Sequence, residues 1–227
     1  MLGQALQLTR DFFARVPERK NAVQNWPWQK NVASQGLGIP ARVNYVGQGC
    51  NLFDSGYRYH GSAMAVLKYL RTSWLWEQVR VLGGAYGVFC SLNRLSGVFT
   101  FGSYRDPNLA GTLKNFVASA RFLQDKKLEA GEVDKAVIGA IGDMDGYLLP
   151  DAKGFASLRR FLAQVSELEL QTIREELLAT TAADFQAFGQ VLEQALTASK
   201  IVVAGAVESL QQAESNGVHF QNIVPLL

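Results

Sequence analysis

The period of the apolar positions changes several times along this 227-residue chain, and each change marks a boundary between elements. Residues 2–16 carry Leu6, Leu8, Phe12, Phe13 and Val16 among polar neighbours, a rough helical period that ends at Pro17. Asn25 to Gly36 predicts a loop, with Trp26 and Trp28 as packing anchors, and Val43 to Val46 predicts a strand bounded by Gly47 and Gly49. From Ser62 to Val79, residues Ala63, Val66, Leu67, Leu70 and Trp74 share one helical face, so a helix delivers the chain to Arg80. The period then falls to two through Val88, Cys90 and Leu92. A second run, Val98 to Tyr104, is rich in aromatic and β-branched residues, and Asn93 to Gly97 contains the turn pair Ser96-Gly97. Together they predict a hairpin.

Asp106 followed by Pro107 predicts a helix start, because the carboxylate can cap free amides and proline fits the first helical position. Leu109, Leu113, Phe116, Val117 and Ala120 line one face of that helix, and Val133, Val137, Ala140, Ile141 and Met144 line the next. The segment Tyr147 to Gly154 reads as a stop and restart, with a further apolar run from about Ala156 and three more helices in all. Ser166 with Glu169 and Thr181 with Asp184 have the spacing of reciprocal capping pairs. Lys200 to Ala206 predicts a buried strand. The outline is an α+β fold in which a layer of helices packs on a mostly antiparallel sheet. It forms a single domain over residues 1–227, with a leading helix and loop in 1–35.

Composition narrows the function. With 48% hydrophobic and 19% charged residues the chain can bury a core, and a formal net charge of +2 argues against nucleic acid or an anionic membrane surface as partner. Neither a spanning apolar run nor a leader is found in these residues, so a cytoplasmic or organelle-matrix setting is expected. Cys50 and Cys90 fall in or beside strand-like segments and read as buried, inert thiols. A hydrolytic zinc site needs three ligands, two of them usually at helical spacing, and His60 and His219 are far apart with no His-x-x-Glu-His arrangement. Each lone histidine reads as solvent-facing or hydrogen-bonded. Gly-x-Ser-x-Gly is absent, and Gly83-Gly84 lacks the pattern of a phosphate loop. On this reading the chain has no complete catalytic apparatus and no metal site of its own.

Arg80 and Tyr86 remain as the candidate substrate-contacting pair, with Gly83, Gly84 and Ala85 between them as backbone that another chain can approach closely. Spacing alone favours structural roles: an arginine on the last helical carbonyls, a packed strand tyrosine, a glycine turn. Arg105 reads as a surface charge at a helix end.

Arg80-Val-Leu-Gly-Gly-Ala-Tyr86, then Ser96-Gly-Val-Phe-Thr-Phe, Ser103-Tyr-Arg-Asp-Pro-Asn-Leu109 and Ile138 to Gly154 occur in the order seen in the last quarter of presequence proteases. The resemblance runs from about Gly36 onward and places the chain with the pitrilysin and insulinase family of zinc peptidases. It implies a fold of two related α+β halves closing around a chamber for unstructured peptides, with zinc and its general base on the N-terminal half. It further implies that Arg80 and Tyr86 reach the substrate from the C-terminal half, that zinc belongs to the full-length enzyme, and that this chain is a piece of a longer polypeptide. The resemblance reverses the preference for purely structural roles. A noncatalytic scaffold or peptide-binding module of the same superfamily is the alternative, favoured if the Tyr86 hydroxyl is buried and internally satisfied.

Overall fold

The computed structural model describes residues 2–17 and 33–226, so Trp26 and Trp28 lie outside the described residues. The chain divides into two compact units, residues 1–31 and 32–227. In the first, helix α1 spans Leu2–Ala14 and buries none of its residues.

The second unit is built on a six-stranded sheet: β1 (Gln35–Gly38), β2 (Asn44–Asn51), β3 (Gly87–Leu92), β4 (Val98–Asp106), β5 (Lys200–Gly205) and β6 (Asn222–Pro225), in the spatial order β3-β4-β2-β5-β1-β6. The pairs β3/β4, β4/β2 and β2/β5 are antiparallel, whereas β1 runs parallel to both β5 and β6, so the sheet is mixed at one end. Strands β1 and β6 give no period-two signal, since each has four residues and β1 reads Gln-Gly-Leu-Gly. The loop expected to reach Gly36 therefore ends in a strand.

The predicted hairpin is β3 and β4. Strand β2 continues through Gly47 and Gly49 to Asn51, because the side chains that face the helices are Val46, Gln48 and Cys50, and the glycines take the opposite face. Strand β5 is buried on one face only: Val203 is covered while Val202 is exposed.

Helix α2 (Ser62–Thr72) stops sooner than its periodicity predicts. Ser73 turns with φ −118° and ψ −94°, and Trp76–Val81 is wound as a wider π-helical turn. Helix α3 is Leu109–Asp125. Its cap is Asn108, whose side chain accepts from the Gly111 amide, and not Asp106 as expected. Asp106 ends β4, is fully buried, and accepts from the Asn108 amide and from the hydroxyls of Ser103 and Thr112. It ties strand to helix from beneath.

Helices α4 (Ala130–Met144), α5 (Pro150–Leu162), α6 (Glu167–Leu178), α7 (Ala182–Leu196) and α8 (Val207–Ser215) complete the unit. Pro150 opens α5, so the restart lies earlier than Ala156, and α8 adds a helix beyond the expected set. Thr181 and Asp184 form the reciprocal box; Ser166 accepts from Glu169 in one direction only, and a second box links Glu129 and Glu132. Phe99, Phe101 and Val203 from the sheet meet Val66, Leu70, Phe116, Phe185 and Leu192 from α2, α3 and α7 in one core. Val117, predicted to share that face, is half exposed.

Cys50 and Cys90 are free and buried in this core, and burial pushes their thiols up to about 11 and about 12. Among the described residues no helix is long and apolar enough to cross a membrane.

Candidate functional site

The other face of the sheet is not covered by the helices of this unit. Tyr45, Phe89, Tyr104 and Val202 are exposed there. Two of these rings lie across glycines on the paired strand. Tyr104 sits opposite Gly87 and Phe89 opposite Gly102, and a Cβ at either glycine would fall 2.2 Å from the facing ring. The missing side chains make room for the aromatics to lie flat.

Arg80 and Tyr86 stand at the end of this face, where the π-helical turn feeds β3. Gly83 permits the turn because a Cβ there would lie 2.6 Å from the Val79 carbonyl oxygen. Gly84 adopts φ +80°, a left-handed conformation that favours glycine. Ala85 is 3% exposed with its methyl in the core, and its amide donates to the Val79 carbonyl, so it offers a substrate only backbone. The short link brings Arg80 back onto Tyr86: the Arg80 Nε donates to the Tyr86 carbonyl oxygen at 3.1 Å. Trp76, one helical turn earlier, lies under the guanidinium with the ring centroid 3.8 Å from Cζ. The arginine therefore does not bond the last helical carbonyls. It is held flat between tryptophan and backbone, with its terminal nitrogens free of hydrogen bonds among the described residues.

Tyr86 is 61% exposed. Its ring packs edge-on against Tyr104 with centroids 5.4 Å apart, and its amide donates to the Arg105 carbonyl. Among the described residues its hydroxyl has no hydrogen-bond partner. The ring and backbone are fixed while the phenol points to solvent, an arrangement that suits donation to an external acceptor.

Arg105 is not at a helix end. Asn44 pairs with Asp106 and Val46 with Ser103, so Tyr45 alone on β2 opposes both Tyr104 and Arg105 on β4. This β-bulge turns both side chains outward, with Arg105 at φ +49° and its guanidinium over the Tyr86 ring at 5.6 Å. Sequence reasoning missed Trp76, Tyr104 and Arg105. Trp76 at four residues before Arg80 was a readable signal; the bulge, set by pairing with β2, was not.

The described residues do not fit a zinc site. His60 bonds the Ser62 hydroxyl and lies 3.9 Å from Glu176, His219 is exposed on the loop after α8, and no group of three or more metal-ligating side chains occurs among the described residues. A cavity of about 850 Å³ lies apart from Arg80 and Tyr86, between α3 and the loop after α8, lined by Trp74, Leu113, Phe122 and Ile201. Gln48 also borders it: the side chain donates to the Ser199 hydroxyl, and its Oε1 is buried without a partner among the described residues.

Comparison with known proteins settles the family. Residues 34–208 match the family described as the PreP C-terminal domain. The chain belongs to the presequence protease family. It is 39% identical over 210 residues to presequence protease 1, chloroplastic/mitochondrial, of Arabidopsis thaliana, covering 92% of this chain and 19% of that protein. It is 31% identical over 179 residues to protein HypA of Clostridium perfringens, covering 79% of this chain and 18% of that one. The chain thus spans about a fifth of the length of these relatives. Among solved structures it is similar to pitrilysin, with TM-score 0.64 and 15% identity over 98% of this chain and 25% of that one. It is also similar to an inactive peptidase M16 domain from Pseudomonas fluorescens, with TM-score 0.62 and 16% identity over 91% of this chain and 51% of that one. The presequence protease domain thus has the fold of the pitrilysin-type peptidases, an α+β layer of helices on a largely antiparallel sheet.

Proposed function

We propose that this chain is the non-zinc-binding C-terminal domain of a zinc metalloendopeptidase that degrades short unstructured peptides, and that it supplies Arg80 and Tyr86 to an active site on the N-terminal half of the same polypeptide. The observation that carries the reading is the Tyr86 phenol, exposed and unpartnered among the described residues while its ring and backbone are fastened by Tyr104, Arg105 and Arg80. A buried and internally satisfied hydroxyl is what would favour the scaffold alternative. A phenol held in this way donates to the carbonyl oxygen of the scissile peptide as it gains charge, and the free nitrogens of Arg80 hold a neighbouring peptide carbonyl. Gly83, Gly84 and Ala85 lie where an extended peptide meets only backbone. The metal of such an enzyme is held by residues outside this chain, and the expected setting is cytoplasm or an organelle matrix.

Contact with substrate is testable directly. With p-benzoylphenylalanine in place of Phe89 in the full-length protein, illumination with an unstructured peptide is expected to give a crosslink that excess unlabelled peptide competes away. The same probe in place of Gln212, exposed on α8, is expected to give none. Equal labelling at both positions, or none at Phe89, contradicts the reading.

A further inference from the structure

Arg80 and Arg105 bring two guanidiniums against one tyrosine, and among the described residues neither forms an ion pair. The acid adjacent in sequence to Arg105 is unable to neutralise it: Asp106 is turned inward, fully buried, and accepts from Ser103, Asn108 and Thr112. Arg80 is engaged through Nε and its ring-facing side. Among the described residues Arg105 has no such ties beyond its contact with the Tyr86 ring.

Its backbone makes the placement specific. A non-glycine residue at φ +49° occupies a sparsely populated region whose cost other interactions must offset, and such residues concentrate at functional sites. Here the bulge and the buried Asp106 anchor impose it, and the consequence is that Arg105 stands on the open face and not at the strand edge. Two like charges gathered around a solvent-facing phenol, with no acid paired to either among the described residues, are complementary to an anion, and a guanidinium fork matches a carboxylate with two parallel donors.

Resting on the peptidase reading above, we propose that Arg105 binds a carboxylate of the peptide substrate beside Tyr86 and so makes the enzyme prefer acidic or free-acid peptides. The carboxylate has two sources, the peptide's own C-terminus or an Asp or Glu side chain. The test uses the full-length enzyme and one peptide sequence in four forms: C-terminal acid or amide, each with Asp or Asn beside the cleaved bond.

In Arg105→Gln kcat/KM is expected to fall roughly tenfold further for the preferred acidic form than for the fully neutral form, with the extra loss in KM, as for loss of a charge-assisted hydrogen bond. Arg105→Lys, which keeps the charge, is expected to recover part of the preference. The form whose advantage disappears identifies the source of the carboxylate. Equal losses on all four peptides, or no preference in the unaltered enzyme, overturn the proposal. Tyr86→Phe run beside it separates the two ideas: a large loss of turnover there with no Arg105-dependent preference leaves the peptidase reading standing and removes this one.

Discussion

Replacing Tyr86 by phenylalanine in the full-length enzyme is expected to lower kcat for peptide hydrolysis by about a hundredfold or more while changing KM by less than about threefold. The ring survives the change, so its edge-on contact with Tyr104 and the cation above it are retained. Only the hydroxyl is lost. Since no residue among those described bonds that hydroxyl, its removal leaves no orphaned partner and no reason for the fold to respond. Steady-state kinetics with a thermal melt as control measures both. A loss of turnover accompanied by unchanged Tm is the expected pair of results; unchanged turnover would remove Tyr86 from the chemistry.

The second large effect is on stability. Asp106→Ala removes a buried carboxylate that accepts from the Asn108 amide at 2.8 Å and from the Thr112 hydroxyl at 2.7 Å, and that also bonds Ser103. The buried Ser103 and Thr112 hydroxyls and the part-buried Asn108 amide are left without that acceptor. The expected loss is about 2–4 kcal/mol, fewer than the separate bonds would sum to because they share one group. Urea unfolding of the chain, read as a lower midpoint at constant slope, measures it. The same substitution frees the β4 end that sets Arg105 in its left-handed conformation, so in the full-length enzyme it is expected to weaken discrimination between acidic and neutral peptides as well. A loss below about 1 kcal/mol would mean that Asp106 does not anchor the strand-to-helix passage.

Much of this architecture was readable from residue order because it is local. Alternation through Val88, Cys90 and Leu92 and the run from Val98 to Tyr104 place the hairpin, since each residue's face is decided by its immediate neighbours. Thr181 with Asp184 is similarly a relation across three residues. What was not readable depends on partners far away in sequence. Strand β1 has two glycines in four residues and becomes a strand only between β5 and β6, whose residues follow it by more than a hundred positions. Gly47 and Gly49 look like strand ends until the sheet shows that they occupy the face opposite the helices of this unit.

The candidate site divides along the same line. Arg80, Gly83, Gly84, Ala85 and Tyr86 fall in seven consecutive residues, and their proximity follows from the short turn. Tyr104 and Arg105 join them through a register shift between β2 and β4, with Tyr45 opposing both residues. No local pattern around Ser103-Tyr-Arg-Asp announces that shift. Read alone, Arg105-Asp106-Pro107 signals a helix start, and that is why the arginine was expected at a helix end. The true start is Asn108, two residues later, and the difference converts a surface charge into a residue of the open face.

On the proposed function this domain completes an active site whose metal lies on another part of the polypeptide. The most direct measurement is hydrolysis of an unstructured peptide, with zinc present, by this chain alone, by a separately prepared N-terminal half carrying the zinc motif, and by the two mixed. Cleavage is expected in the mixture, little in either part, and loss of the mixture's activity when this chain carries Tyr86→Phe. Zinc-dependent cleavage by this chain alone, or a mixture indifferent to Tyr86→Phe, would contradict it.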